Sequence, residues 1–216
     1  AIDAAIYPKY PNCNSGGRCS WTSCNDDIGF IKKVIDATIN NINIRNIFVI
    51  GMSNGGMMAQ ALACEYPRLF KGAANIVGMQ HKDLSCIPDK PINFIIYGGM
   101  KDTTVPPINI RAADGYFYEP MNKTFNSWSE NFQCSIFTNE DYLFTDNFEQ
   151  KTASNCKGGI TITSILNKDR GHLWPGIDQS VGFCNTQDQS KLEINECRVI
   201  ENFWGNEFIV KLLLEL

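Results

Sequence analysis

Ser53 lies in Gly51-Met52-Ser53-Asn54-Gly55-Gly56, at the end of the apolar run Asn46–Gly51 and just before a Met-, Ala- and Leu-rich stretch. A serine placed between a strand and a helix in a G-x-S-x-G pattern sits on a sharp turn that exposes its hydroxyl. Such a turn strains the backbone, and side chains two residues to either side would collide, which accounts for Gly51 and Gly55. The helix start beneath the serine leaves backbone N–H groups without partners. The N–H of Asn54 is therefore the expected donor to a developing oxyanion. A hydroxyl attacks only when a base takes its proton. The chain has two histidines, His81 and His172. His172, in Gly171-His172-Leu173-Trp174-Pro175-Gly176, follows the last expected strand and is the candidate base; His81 reads as an exposed loop histidine. The base needs a carboxylate to orient it and to stabilise its cation. Asp102 closes Tyr97-Gly98-Gly99-Met100-Lys101-Asp102 after the strand Ile92–Tyr97 and is the leading acid, with Asp114 and Asp169 as alternatives. Together these residues predict acyl transfer through a serine.

The elements that must position them can be read from pattern. Asn25-Asp26-Asp27 offers a capping residue and first-turn acids. Ile28, Ile31, Val34, Ile35 and Ile39 follow at helical spacing, to an end near Asn40-Asn41. Asn46–Gly51, Gly72–Val77 and Ile92–Tyr97 are short apolar runs, as expected of parallel strands buried on both faces. Ile160–Leu166 is a further strand and Ala1–Tyr7 a short one. Gly55–Glu65, Met121–Phe132 and Glu193–Leu216, the last broken at Gly205, read as helices. Strands alternating with helices predict an α/β fold with a mostly parallel sheet. Residues 1–216 are read as one domain, since single α/β domains reach this length. Within it, roughly residues 107–158 form an insertion, and Phe137–Asn155 is polar, aromatic and irregular, as an active-site lid or cap would be.

Composition narrows the function further. The net charge of −4 and the lack of a Lys/Arg-rich run give no reason to expect a nucleic-acid or anionic-membrane partner. No apolar stretch approaches the roughly 20 residues a membrane span needs. Nine cysteines without zinc-type spacing predict disulfides, an oxidising compartment and no metal site. Asn122-Lys123-Thr124 is an N-glycosylation acceptor, as a secreted glycoprotein would carry. No leader is visible before Ala1, so the chain is expected to be a mature or trimmed form.

The motifs also carry a resemblance. Gly51-Met52-Ser53-Asn54-Gly55-Gly56-Met57-Met58, followed by Leu62-Ala63-Cys64 and Tyr66-Pro67, resembles the polyhydroxybutyrate depolymerase and feruloyl esterase family, which is related to carbohydrate esterase family one. Asp26-Asp27-Ile28-Gly29-Phe30 resembles the family's segment before the serine, and Asp102-Thr103-Thr104-Val105-Pro106 its acid loop. Gly171-His172-Leu173-Trp174-Pro175-Gly176 resembles its histidine loop, usually G-H-T-W-P-G. The likeness runs from about Tyr7 to about Phe203. It implies an α/β-hydrolase that cleaves carboxylic esters with Ser53, Asp102 and His172, without metal or cofactor. Proximity and the resemblance suggest Cys134–Cys156 and Cys184–Cys197 bridges; Cys64–Cys86 is a further pairing.

One departure stands out. Family members begin with strands ahead of the segment matching Tyr7-Pro8, and these bring a His-Gly loop with a second oxyanion donor. This chain has no such region, so it is expected to be a fragment or to have lost those strands. A missing oxyanion donor typically costs on the order of 10²–10³ in rate. Trp174, two residues from His172, is the expected substrate-binding aromatic, with Trp21, Tyr116, Phe117 and Tyr118 as further candidates for a wall suited to a cinnamoyl group or a sugar face. The substrates in view are plant-wall hydroxycinnamoyl or acetyl esters and polyhydroxyalkanoates. A non-catalytic carbohydrate- or aromatic-acid-binding relative and a serine peptidase on the same triad are the alternatives.

Overall fold

The computed structural model describes residues 26–141, 147–176 and 205–214. Helix α1 (Asp27–Ile39) starts where the sequence predicts: the Asp26 carboxylate accepts from the N–H of Gly29 at 2.8 Å, capping an otherwise unpaired donor. Its Ile28, Ile31 and Ile35 turn inward, while Phe30 and Val34 stay exposed. Strand β1 (Phe48–Met52) leads into α2 (Asn54–Glu65), and β2 (Gly72–Ile76) and β3 (Asn93–Gly99) follow. Helix α3 (Met121–Asn131) comes next, then β4 (Ile136–Asp141), β5 (Phe148–Ser154), β6 (Ile162–Asn167) and α4 (Gly205–Leu214).

The strands form a mixed six-stranded sheet in the order β1-β2-β3-β6-β5-β4. β1, β2, β3 and β6 run parallel, in registers such as Ile50↔Ala74, Ala74↔Ile95 and Ile96↔Ser164. β2 and β3 are buried along their whole length, which explains their mostly apolar sequences; Asn75 and Asn93 are the buried polar exceptions. One face of the sheet packs against α2 and α3 through Met57, Leu62, Phe94, Ile96, Phe125 and Trp128, with α1 lying against α2. Phe94 and Trp128 stack there with ring centroids 4.0 Å apart. The other face packs against α4 through Ile76, Ile95, Tyr97, Ile165, Ile209 and Leu213.

The stretch Phe137–Asn155, read from sequence as an irregular lid, instead contains the hairpin β4–β5, which extends the sheet in antiparallel fashion beyond β6. Its alternation was hidden because the two faces of β5 carry unlike companions. Phe148 joins the α4-side core, while the flanking Glu149 and Lys151 pair with each other at 2.9 Å. Two disulfides join described residues, Cys64–Cys86 and Cys134–Cys156. The first ties α2 to the loop after β2; the second closes the base of the hairpin. Cys184–Cys197, the strand expected at Ala1–Tyr7, Trp21 and most of the long terminal helix lie outside the described residues.

Candidate active site

The parallel strands carry their C-terminal ends to one rim, where ligands of open α/β sheets bind. Ser53 follows β1, Asp102 follows β3 and His172 follows β6. Ser53 has φ 56° and ψ −125°, a conformation rare for any side-chain-bearing residue. Two backbone bonds hold it: its N–H donates to Ile76 O at 2.8 Å, and its carbonyl accepts from Met57 N at 3.0 Å. A Cβ on Gly51 would strike the carbonyl of Gly55, so the glycine two residues before the serine is required. The expectation for Gly55 fails, because a Cβ there meets open space. The crowded partner is Gly56, where a Cβ would lie 2.5 Å from Asn75 Oδ1 and 3.0 Å from Gly51 O. Asn54 is the first residue of α2, so its N–H has no partner within the helix.

Nε2 of His172 lies 2.8 Å from Ser53 Oγ, and Nδ1 lies 2.7 Å from Asp102 Oδ2. The three residues read from the sequence therefore meet in one hydrogen-bonded chain. Asp102 is buried, and its second oxygen accepts from the N–H groups of Thr104 and Val105, each at 2.8 Å. With Asp102 ionised, Nδ1 carries the ring proton and Nε2 is left to accept from the serine hydroxyl. The acid and histidine loops are stitched together: Lys101 N donates to Arg170 O at 2.9 Å, and Met100 N to Asn167 O at 2.8 Å. A Cβ on Gly99 would collide with the carbonyls of Arg170 and Gly171, so only glycine lets the two loops approach this closely.

The alternative acids are engaged elsewhere. Asp114 accepts from Tyr118 Oη at 2.6 Å and from Tyr116 N at 2.9 Å. Asp169 meets Lys101 at 3.5 Å on the surface. His81 is buried rather than exposed: it stacks on Tyr118 at 4.8 Å and meets the edge of Tyr116 at 5.4 Å. A lone histidine between two turns gives no sequence sign of such stacking. Tyr116 and Phe117 are exposed and Tyr118 is buried, so the first two alone of this aromatic run offer open ring surface. Trp174 packs half-buried against the α4-side core, and its Nε1 is buried with no hydrogen-bond partner among the described residues. Among the described residues no group of three or more His, Cys, Asp or Glu side chains is arranged to hold a metal ion.

Sequence reasoning missed Asn75 and Gly78. A Cβ on Gly78 would collide with the carbonyl of Ser53, and it would lie 2.5 Å from Asn75 Oδ1. The polar Asn75 inside an otherwise apolar strand was the available signal.

No family model matches the chain. It is 25% identical over 169 residues to NocK of Nocardia uniformis subsp. tsuyamanensis, a protein provisionally named an esterase; the match takes in 69% of this chain and 49% of NocK. The chain thus spans about half the length of the curated relative it matches. Among solved structures, it is similar to an acetyl xylan esterase from Aspergillus awamori, with a TM-score of 0.53 and 18% identity over 67% of this chain and 61% of that one. That likeness, with the mostly parallel sheet flanked by helices, gives the chain the α/β-hydrolase fold.

Proposed function

We propose that the chain is a serine carboxylic-ester hydrolase in which Ser53 is the nucleophile, His172 the general base and acid, and Asp102 the residue that orients His172. The observation that carries this reading is the unbroken chain of hydrogen bonds from Ser53 Oγ through the imidazole to the buried carboxylate. His172 takes the serine proton as Oγ attacks the ester carbonyl, and the Asn54 N–H stabilises the oxyanion. His172 then protonates the leaving alcohol, which departs and leaves an acyl-serine. A water that gives its proton to His172 attacks this ester, and Ser53 recovers its proton as the acid leaves.

The relatives support ester chemistry by their names, one called an esterase and one an acetyl xylan esterase. We assign the chain to plant-wall hydroxycinnamoyl or acetyl esters before polyhydroxyalkanoates. The exposed rings of Tyr116 and Phe117, in the segment after the acid loop, favour an aromatic or sugar partner. The motif resemblance to feruloyl esterases agrees with this order. Trp174 enters as the ring beside the base, and its packing braces the loop that carries His172. An extracellular setting is supported by the Cys64–Cys86 and Cys134–Cys156 disulfides. No helix among the described residues is long and apolar enough to cross a membrane.

The test is a panel of methyl hydroxycinnamates, acetylxylan and hydroxybutyrate oligomers, assayed with the parent chain and with Ser53→Ala. Hydrolysis of the first two classes, abolished in the variant, is expected. Preferred turnover of hydroxybutyrate oligomers overturns the substrate assignment, and equal hydrolysis by Ser53→Ala overturns the mechanism.

A further inference from the structure

Asn75 is fully buried in β2, one residue from its C-terminal end, in a strand whose other residues are all apolar or glycine. Burying an amide is costly unless its groups are bonded, so its contacts identify what it is for. Its Nδ2 donates to Gly78 O and to Gln60 Oε1, both at 2.9 Å. Because the Gly78 carbonyl can only accept, the nitrogen must face it, and this fixes the orientation of the amide. The other end, Oδ1, has no hydrogen-bond donor among the described residues. It lies against the Cα atoms of Gly56 and Gly78, 2.5 Å from where a Cβ would stand on either. Their Cα hydrogens are the groups left to face it, as weak donors.

These neighbours are the parts of the serine turn. Gly56 is in the first turn of α2, and Gly78 rests against the carbonyl of Ser53. Between Asn75 and Gly78 the chain passes through Val77 at φ 44°, a genuine outlier for a β-branched residue. Ser53, at φ 56°, is tied to the same segment through its bond to Ile76 O. Strained conformations of this kind persist only where the surroundings over-determine them. The amide of Asn75 closes the 75–78 turn from within and fills the gap between that turn and α2. Gln60, on the next turn of α2, relays the contact to Ser85 Oγ at 3.2 Å.

We infer that Asn75 is a positioning residue, whose amide pins the Val77–Gly78 turn against Gly56 and Ser53 and so holds the Asn54 N–H and the Ser53 hydroxyl in attacking geometry. This rests on the esterase reading of Ser53. Asn75 touches neither substrate nor reacting atoms; it acts through Gly56 and Gly78.

The experiment compares Asn75→Ala with the parent and with Ile209→Ala, a core variant on α4 that destabilises the other face of the sheet. Each is titrated with a fluorophosphonate, so that turnover of p-nitrophenyl acetate is expressed per reactive serine. For Asn75→Ala we expect kcat per reactive serine to fall about 10–10²-fold, part of what loss of an oxyanion donor costs. KM should stay within about threefold, and the rate of phosphonylation should fall in parallel. Ile209→Ala should lower Tm and leave kcat per reactive serine unchanged. A purely structural Asn75 would behave like Ile209→Ala, and kcat per reactive serine within twofold of the parent overturns the inference. If Asn75→Ala does not fold, Asn75→Ser carries the same expectation and the same refutation. A parent chain that takes no label at Ser53 removes the esterase reading itself, an outcome distinct from a labelled parent with an unaltered variant.

Discussion

Asp102 Oδ2 lies 2.7 Å from Nδ1 of His172, while Oδ1 of the same carboxylate accepts two backbone N–H bonds, from Thr104 and Val105. One oxygen is therefore anchored to the acid loop and the other is left to the imidazole. Asp102→Asn keeps the anchor and turns an NH₂ donor toward Nδ1. The ring must then carry its proton on Nε2, where it can no longer accept from Ser53. We expect kcat on p-nitrophenyl acetate to drop by about 10³–10⁴-fold, with Tm little changed. A loss below tenfold would contradict the role given to Asp102.

The glycines around Ser53 are unequal. A side chain at Gly51 strikes the Gly55 carbonyl, which is backbone and cannot swing away, whereas one at Gly55 enters open space on the first turn of α2. Gly51→Ala is expected to destabilise by about 2 kcal/mol or more. Gly55→Ala should be neutral or stabilise by about 0.5–1 kcal/mol through helix propensity. Urea unfolding of the two variants checks this, and equal losses would refute it.

Each disulfide between described residues closes a loop of similar length, with 22 residues of separation in both Cys64–Cys86 and Cys134–Cys156. The chain-entropy account gives about 3 kcal/mol for a loop of that size. Replacing either pair by alanine should lower the urea-unfolding free energy by about that amount. Cys134/Cys156→Ala should leave kcat unchanged, because that bridge closes the hairpin at the far edge of the sheet.

Burial pushes the Tyr97 hydroxyl up to about 12, against which the Asn167 amide, donating to it at 3.2 Å, offers a smaller opposing pull. The folded chain therefore holds this proton more tightly than the unfolded chain, which releases it near pH 10. Stability from this group is complete below pH 10 and is lost as pH rises toward 12, by roughly 2–3 kcal/mol in all. Tyr97→Phe cannot ionise, so the difference in unfolding free energy between parent and variant should shift in the variant's favour between pH 9 and pH 11.5. A difference independent of pH would contradict the burial argument.

The grouping of the candidate site's three residues was legible in the sequence because they sit after strand ends in chain order, each beside an apolar run or a glycine cluster. Ser53, Asp102 and His172 are hydrogen-bonded in one chain in the structure. The parallel strands were legible because β2 and β3 are buried along their whole length, so apart from Asn75 and Asn93 their residues are apolar, aromatic or glycine. The hairpin β4–β5 was not, since Ile136 and Phe137 are exposed and Glu149 and Lys151 stabilise each other rather than a core. Gly55 looked obligatory by its place in the pentapeptide, but steric demand depends on where α2 directs its first turn, and that turn crowds Gly56. His81 carries no local mark of burial, because its stacking partners Tyr116 and Tyr118 are more than thirty positions away. The importance of Asn75 likewise arises from tertiary contact with Gln60, Gly56 and Gly78.

The central claim is that the Ser53 hydroxyl is made reactive by the imidazole 2.8 Å away. The most direct measurement is reaction with a fluorophosphonate followed by peptide mass mapping, on the parent and on His172→Ala. The account predicts one adduct, on Ser53, whose formation slows by at least about 10³-fold without the imidazole. An adduct on another residue, or labelling of Ser53 that proceeds equally fast in His172→Ala, would contradict it.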